Sequence, residues 1–199
     1  MNADERLVER FLISKKLCPQ RFTAKENESW GGTQSCLTKL PDFKVSARGC
    51  FFYAEVKSLL AKPEDEPSSF NMFGKNILQA VKQFESVNET HIVPNVLIWV
   101  NHEMRHICQD LEMIYTGAST MSNGEIVGGF HKYSEGKIKK KKRFIDLHIW
   151  LNIDRNDDTT FLGEPSWFFS GDDNRSHHRE MLRRLFDIKI ETFKVIHSK

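Results

Sequence analysis

The chain has 199 residues, 39% of them hydrophobic and 28% charged, a size and composition that suit one globular domain and exclude a disordered or collagen-like chain. Its formal net charge of +2 neither demands nor excludes a nucleic-acid partner, so any such claim rests on where the charge sits. No apolar run approaches the roughly 18 residues of a membrane span. The four cysteines form no C-x-x-C pair, and the start MNADERLVERF is unlike a signal peptide, so a soluble, reduced, cytoplasmic protein is expected.

In chain order, Asp4 can cap a helix from residue 5 to about 16, with Leu7, Val8, Phe11 and Leu12 on one face and Cys18-Pro19 ending it. Residues 25–35 read as polar loop or irregular strand. Two strands are predicted at 42–47 and 50–58, with Gly49 relaxing the turn between them. Residues 62–75 hold two prolines and three acids and read as a loop. A helix from about 76 to 87 turns Ile77, Ala80, Val81 and Phe84 inward. HIVPNVLIWV (91–100) is the strongest buried-strand candidate. A helix at about 108–115 and a loop at 117–129 follow. Strands at 130–134 and 144–153 then flank the basic run KIKKKKR. SHHREMLRRLFDIKIETF reads as an amphipathic helix that opens on an exposed His177-His178 pair. The aromatic residues of SWFFSG suit core packing. The order predicts an α/β sheet with helices packed on it.

Within the predicted hairpin, Glu55 and Lys57 lie two apart and share a face, while Val56 points the other way. Pairing of the two strands brings Asp42 toward Glu55. Two carboxylates and a main-chain carbonyl make an oxygen-only site suited to Mg2+ or Mn2+. An adjacent amine can position a water or neutralise developing charge. Metal-assisted phosphodiester hydrolysis needs these parts. The plainer reading of the same residues is a solvated hairpin carrying a weak ion pair.

Pro41-Asp42, the thirteen positions from Asp42 to Glu55, and Glu55-Val56-Lys57 together resemble the PD-(D/E)xK nuclease signature. ERLVERFL is similar to the ER-x-L helix that supplies an extra metal-site glutamate in archaeal Holliday-junction resolvases, with Glu5 at the matching position and Glu9 one turn on. ILQAVKQF is similar to the family helix whose Gln or Lys reaches the site, here Gln79, with Lys82 and Gln83 as neighbours. NVLIWVNH matches the next core strand. The resemblance spans about residues 5–102, half of the chain.

That resemblance implies a restriction-endonuclease-like fold, a mixed central sheet flanked by helices. The chain as a whole is expected to form a single nuclease-like domain over 1–199, with a core at about 4–116 and a β-hairpin and helix extension at about 129–199 that has no counterpart in the compact resolvases. The resemblance also implies a Mg2+-dependent nuclease acting on DNA. In that role Asp42, Glu55 and the Val56 carbonyl hold Mg2+ or Mn2+, and Lys57 orients the attacking water and offsets charge. Glu5 completes the shell and Gln79 helps fix the geometry. A homodimer is compatible with this. The alternative on the same fold is a nucleic-acid-binding protein without catalysis.

Two further motifs compete for a role. KIKKKKR places six positive charges in seven residues. Lys139, Lys140, Lys141, Lys142 and Arg143 are expected to track a phosphate backbone from a finger between two strands. Solvation of a hairpin tip, or a targeting signal, is the plainer reading. HEMRH (102–106) is formally the H-E-x-x-H zinc-peptidase motif, which works only on a helix. Here it follows directly on a predicted strand, with Arg105 inside it and no recognisable third ligand.

Overall fold

A computed structural model of the chain describes residues 2–22, 40–60, 69–102, 108–120, 126–127, 141–154, 157–170, 175–189 and 193–196. The first helix, α1 (Ala3–Ser14), is capped by Asn2 and not by Asp4: the Asn2 side chain accepts the Glu5 N–H at 2.8 Å. The Asp4 carboxylate is thereby free to bond elsewhere. β1 (Cys18–Arg21) runs antiparallel to β2 (Phe43–Ala47), and β2 antiparallel to β3 (Cys50–Leu59). Arg48 and Gly49 both adopt positive φ, 51° and 79°, the turn that matches the twist of a tight hairpin.

α2 (Ser69–Val87) carries the chain over one face to β4 (Asn95–Asn101), which lies parallel to β3. α3 (Cys108–Thr116) and the short pair β5 (Ser119–Thr120) and β6 (Ile126–Val127) follow. A 3-10 turn at Lys142–Phe144 leads into β7 (Leu147–Asp154), parallel to β4. β8 (Asp157–Phe161) folds back on the end of β7, and β9 (Ser166–Ser170) pairs antiparallel with its first half. α4 (Ser176–Leu185) then returns the chain to β10 (Phe193–Ile196), parallel to β9. The sheet order is β1-β2-β3-β4-β7-β9-β10 with β8 paired to β7, one mixed sheet in an α/β architecture.

Alternation along the strands sorts side chains onto two faces. Phe43, Phe52, Val56, Ile98 and Ile149 meet α1 and α4, whereas Leu59, Leu97, Trp99 and Trp150 meet α2 and α3. β4 is buried at every position, as a parallel strand covered on both faces must be.

Several expectations change. β7 lies beside β4 inside the sheet, so the segment expected as an appended hairpin and helix completes the same sheet. SWFFS, for which no element was predicted, is a strand whose aromatics are buried as expected of core packing. The last predicted helix stops at Leu185, and Phe193–Ile196 is a strand instead. α2 begins at Ser69, inside the predicted loop. The strand expected at 130–134 lies outside the described residues. Among the described residues no helix is long and apolar enough to cross a membrane.

The face under α2 and α3 buries His148 completely. The Trp99 indole N–H donates to His148 Nδ1 at 3.1 Å, so a neutral His148 carries its hydrogen on Nε2 and gives it to the Tyr115 hydroxyl. Tyr115 in turn donates to the Lys142 carbonyl at 3.2 Å. Burial pushes the His148 pKa down to about 3. The unfolded chain therefore binds a proton here that the folded chain refuses, between the ordinary value near 6.5 and about 3. This contribution to stability is full above pH 6.5 and is lost as pH falls. Urea unfolding should show wild type losing about 2 kcal/mol more than His148→Gln between pH 7 and pH 5. Equal losses in the two proteins would mean that His148 is protonated in the folded state.

Candidate active site

β2 begins at Phe43, opposite Ala54, so β3 has β2 as a paired neighbour only as far as Ala54. On the other edge of β3, the Tyr53 N–H donates to the Pro94 carbonyl and the Leu59 carbonyl accepts the His102 N–H. The odd-numbered residues of β3 thus turn their backbone polar groups toward β4. Val56 turns its N–H and carbonyl the other way, into the space past the end of β2. Asp42 fills that space: its Oδ2 accepts the Val56 N–H at 2.8 Å, and its own N–H donates to Glu55 Oε2 at 3.1 Å. The hairpin therefore brings Asp42, Glu55 and the Val56 carbonyl to one side of β3.

Glu55 is fully buried and Lys57 nearly so, at 8% exposure. Lys57 Nζ donates to Glu55 Oε1 at 2.8 Å and to Gln83 Oε1 at 3.2 Å. Gln83 Nε2 donates to the Leu40 carbonyl at 3.0 Å. A buried ion pair is tolerable only when its remaining hydrogen-bonding groups are met, and Gln83 meets them. It also ties the lysine to the backbone just before Pro41-Asp42. This is the role expected of Gln79, which is exposed on the outer side of α2. Gln83 stands three residues after buried Ala80, at the edge of the apolar stripe; that spacing was the signal available in the sequence.

Glu5 is engaged by Arg21, whose Nη1 lies 2.7 Å from Glu5 Oε2. The Arg21 guanidinium lies 4.6 Å from the ring centroid of Phe43, the residue after Asp42. Its Nε and Nη2 are buried without a hydrogen-bond partner. The acid of α1 that reaches β3 is Asp4, which accepts from the Ser58 hydroxyl and lies 3.0 Å from His102 Nε2. His102 extends the β3–β4 ladder through its N–H and is not on a helix, so it does not meet the zinc-peptidase requirement. Residues 103–107 lie outside the described residues.

The basic run divides. Lys139 and Lys140 lie outside the described residues. Lys141 pairs with Glu85 of α2. Arg143 is exposed, and its carbonyl accepts from Arg175 at 2.9 Å. Lys142 corrects the expectation of a phosphate contact, because it is completely buried. Its amine donates to the Tyr115 carbonyl in the last turn of α3, where a helix end carrying partial negative charge favours a cation.

Compared with known proteins, the chain matches no family model, no curated protein and no solved structure at a significant level.

Two contrasts test these placements by urea denaturation. Gln83→Ala should cost about 1–3 kcal/mol by stranding the Leu40 carbonyl and a Lys57 hydrogen, while Gln79→Ala stays within about 0.5 kcal/mol of wild type. Lys142→Gln should destabilise by more than about 1 kcal/mol through loss of a buried charged donor, and Lys141→Gln by less than about 1 kcal/mol, as an exposed pair predicts. Equal effects within either pair would contradict the burial described.

Proposed function

We propose that the chain is a metal-dependent nuclease that hydrolyses phosphodiester bonds of nucleic acid, with DNA as the favoured substrate. The observation that carries this reading is the meeting of Asp42, Glu55, Val56 and Lys57 past the end of β2, with contacts of 2.8 to 3.1 Å. The surrounding order supports it: α1, the β2–β3 hairpin, α2 with its glutamine on the lysine, and β4 follow one another as the signature's elements do.

The donor set of Asp42, Glu55 and the Val56 carbonyl is oxygen only and fits a hard divalent cation, so these residues would hold Mg2+ or Mn2+. Bound there, such a cation supplies polarisation of a phosphoryl oxygen and a more acidic water. An ammonium has three N–H donors. Lys57 spends two on Glu55 and Gln83, which leaves one for the attacking water or a phosphoryl oxygen. Gln83 sets the direction of that third hydrogen by holding the amine from the α2 side. Arg21 adds a second cation beside Phe43. Its unpaired buried donors suit the two-pronged acceptor geometry of a phosphate, and Glu5 holds it in place.

Purified protein should cut DNA with Mg2+ or Mn2+ and stop on addition of EDTA; an RNA substrate run in parallel gives the preference. Lys57→Ala should lower kcat by at least about 100-fold, the lower range for a positioned proton-transfer group, with DNA binding and circular dichroism retained. Arg21→Gln should raise KM more than it lowers kcat. Wild-type binding without cutting in either cation would sink the catalytic reading and favour a nucleic-acid-binding protein. Wild-type rates from Lys57→Ala would move the chemistry elsewhere.

A further inference from the structure

Three buried side chains from distant parts of the chain meet just before the first residues of β4 and β7. His91, Asp146 and His178 are 5%, 6% and 2% exposed, and each offers one ligand atom within 4.8 Å of the others. His178 was expected at the surface with His177. It instead shares the inner face of α4 with Leu182 and Leu185, four and seven residues on, at helical spacing. His91 Nε2 lies 2.6 Å from Asp146 Oδ2, and His178 Nδ1 lies 3.0 Å from Asp146 Oδ1. The Asn95 N–H donates to Asp146 Oδ2 at 2.8 Å.

The segment before β4 is built to present His91. His91 adopts φ of +52°, a left-handed conformation disfavoured for residues with a Cβ. Its N–H donates to the Asn88 carbonyl at 2.8 Å. The Asn88 side chain accepts the Ile92 N–H at 3.1 Å and donates to Asn95 Oδ1 at 2.9 Å, fixing the turn from both sides.

A neutral imidazole has one N–H and one bare nitrogen. Both nitrogens of His178 face acceptors, because Nε2 lies 3.0 Å from the Ile92 carbonyl and Nδ1 faces the Asp146 carboxylate. With the hydrogen on Nε2, Nδ1 turns a lone pair toward a carboxylate, and a cation must stand between them. That cation is either a second proton or a metal ion. His91 adds a further imidazole on the same carboxylate, and its Nδ1 is buried with no hydrogen-bond partner.

We propose that His91, Asp146 and His178 bind a divalent transition-metal cation, Zn2+ by ligand chemistry, which clamps α4 to the starts of β4 and β7. Two imidazoles and one carboxylate form a borderline nitrogen and oxygen set that favours Zn2+ over Mg2+. The Ile92 carbonyl fixes the His178 tautomer, the usual part of an outer partner to a ligating histidine. Zinc bonds of about 2.0–2.1 Å at tetrahedral angles place donor atoms about 3.3 Å apart. The observed 2.6 and 3.0 Å separations reach that with movements of a few tenths of an ångström. This site is independent of the nuclease reading and differs from it in donor atoms.

The test uses the full chain with any affinity tag removed, and zinc alone as the probe. After equilibrium dialysis, wild type should hold about one zinc per chain. Its Tm should rise by about 5–10 °C at free zinc a hundredfold above Kd. Co2+ should give visible absorption of a low-symmetry site. Asp42→Asn should keep the zinc and His178→Gln should lose it with unchanged circular dichroism. Failure of His178→Gln to fold still leaves the wild-type stoichiometry and cobalt spectrum to decide. Wild type without zinc, with an unmoved Tm and a doubly protonated His178 by nitrogen NMR, would overturn the site. So would full zinc retention by folded His178→Gln.

Discussion

The candidate site depends on where β2 starts. Its first residue pairs with Ala54, and β3 runs on to Leu59 with β4 as its only paired strand among the described residues. Backbone polar groups in that half of β3 still need partners on the vacated side. The Val56 N–H takes the Asp42 carboxylate, which forces Asp42 to curl across the strand end and offer its own N–H to Glu55. Had β2 begun two residues earlier, Val56 would bond ordinary backbone and Asp42 would project from a ladder. Among the described residues, the place of the missing pair of ladder bonds is taken by Asp42, which brings its carboxylate and that of Glu55 to the same edge of β3.

The other face of β3 explains why Lys57 can be buried at all. Parallel register aligns Glu55 with Leu97 and His148, and Lys57 with Trp99 and Trp150. The lysine therefore stands among large apolar rings, where an unpaired ammonium is costly. Its partners come from the same strand and from α2. Next to it, Trp99, His148, Tyr115 and Lys142 pass hydrogen bonds from β4 through α3 to the turn before β7. Each chain of bonds fastens a helix to the sheet, and satisfied buried networks specify one arrangement of their members. The direction of Lys57 is thus set by the docking of α2.

The hairpin, the inward face of α2, the buried β4 and the grouping of Asp42, Glu55 and Lys57 were legible because they rest on period-two and period-3.6 patterns, which are local. Gln83 lies one turn beyond Gln79, and around the helix axis it stands about 60° from buried Ala80 where Gln79 stands about 100° away. Asn2 displaced Asp4 as the cap because both are good capping residues, and Asp4 has a tertiary alternative in Ser58 and His102. Lys142 misled because a charge run reads as surface, whereas one of its amines answers the end of α3. The place of β7 beside β4 was hidden for a different reason. Parallel pairing joins segments about fifty residues apart, Val96 with Leu147, and no local pattern encodes the partner.

His178 shows how such non-local polar links decide the far end of the fold. α4 spans ten residues, and its N-cap Arg175 makes no side-chain capping bond. An isolated helix of that length is marginal. Its apolar anchors, Leu182 and Leu185, stand in its second half. The first turn is secured by His178, whose two nitrogens reach Asp146 and the Ile92 carbonyl. β10 joins the sheet beside β9 after α4, so His178 acts with Leu182, Leu185 and Phe186 in holding the helix that leads to it. A cation held between His178 and Asp146, whether proton or metal, adds a polar tie at the first turn of α4 to the apolar packing of its second half and to the β9–β10 ladder.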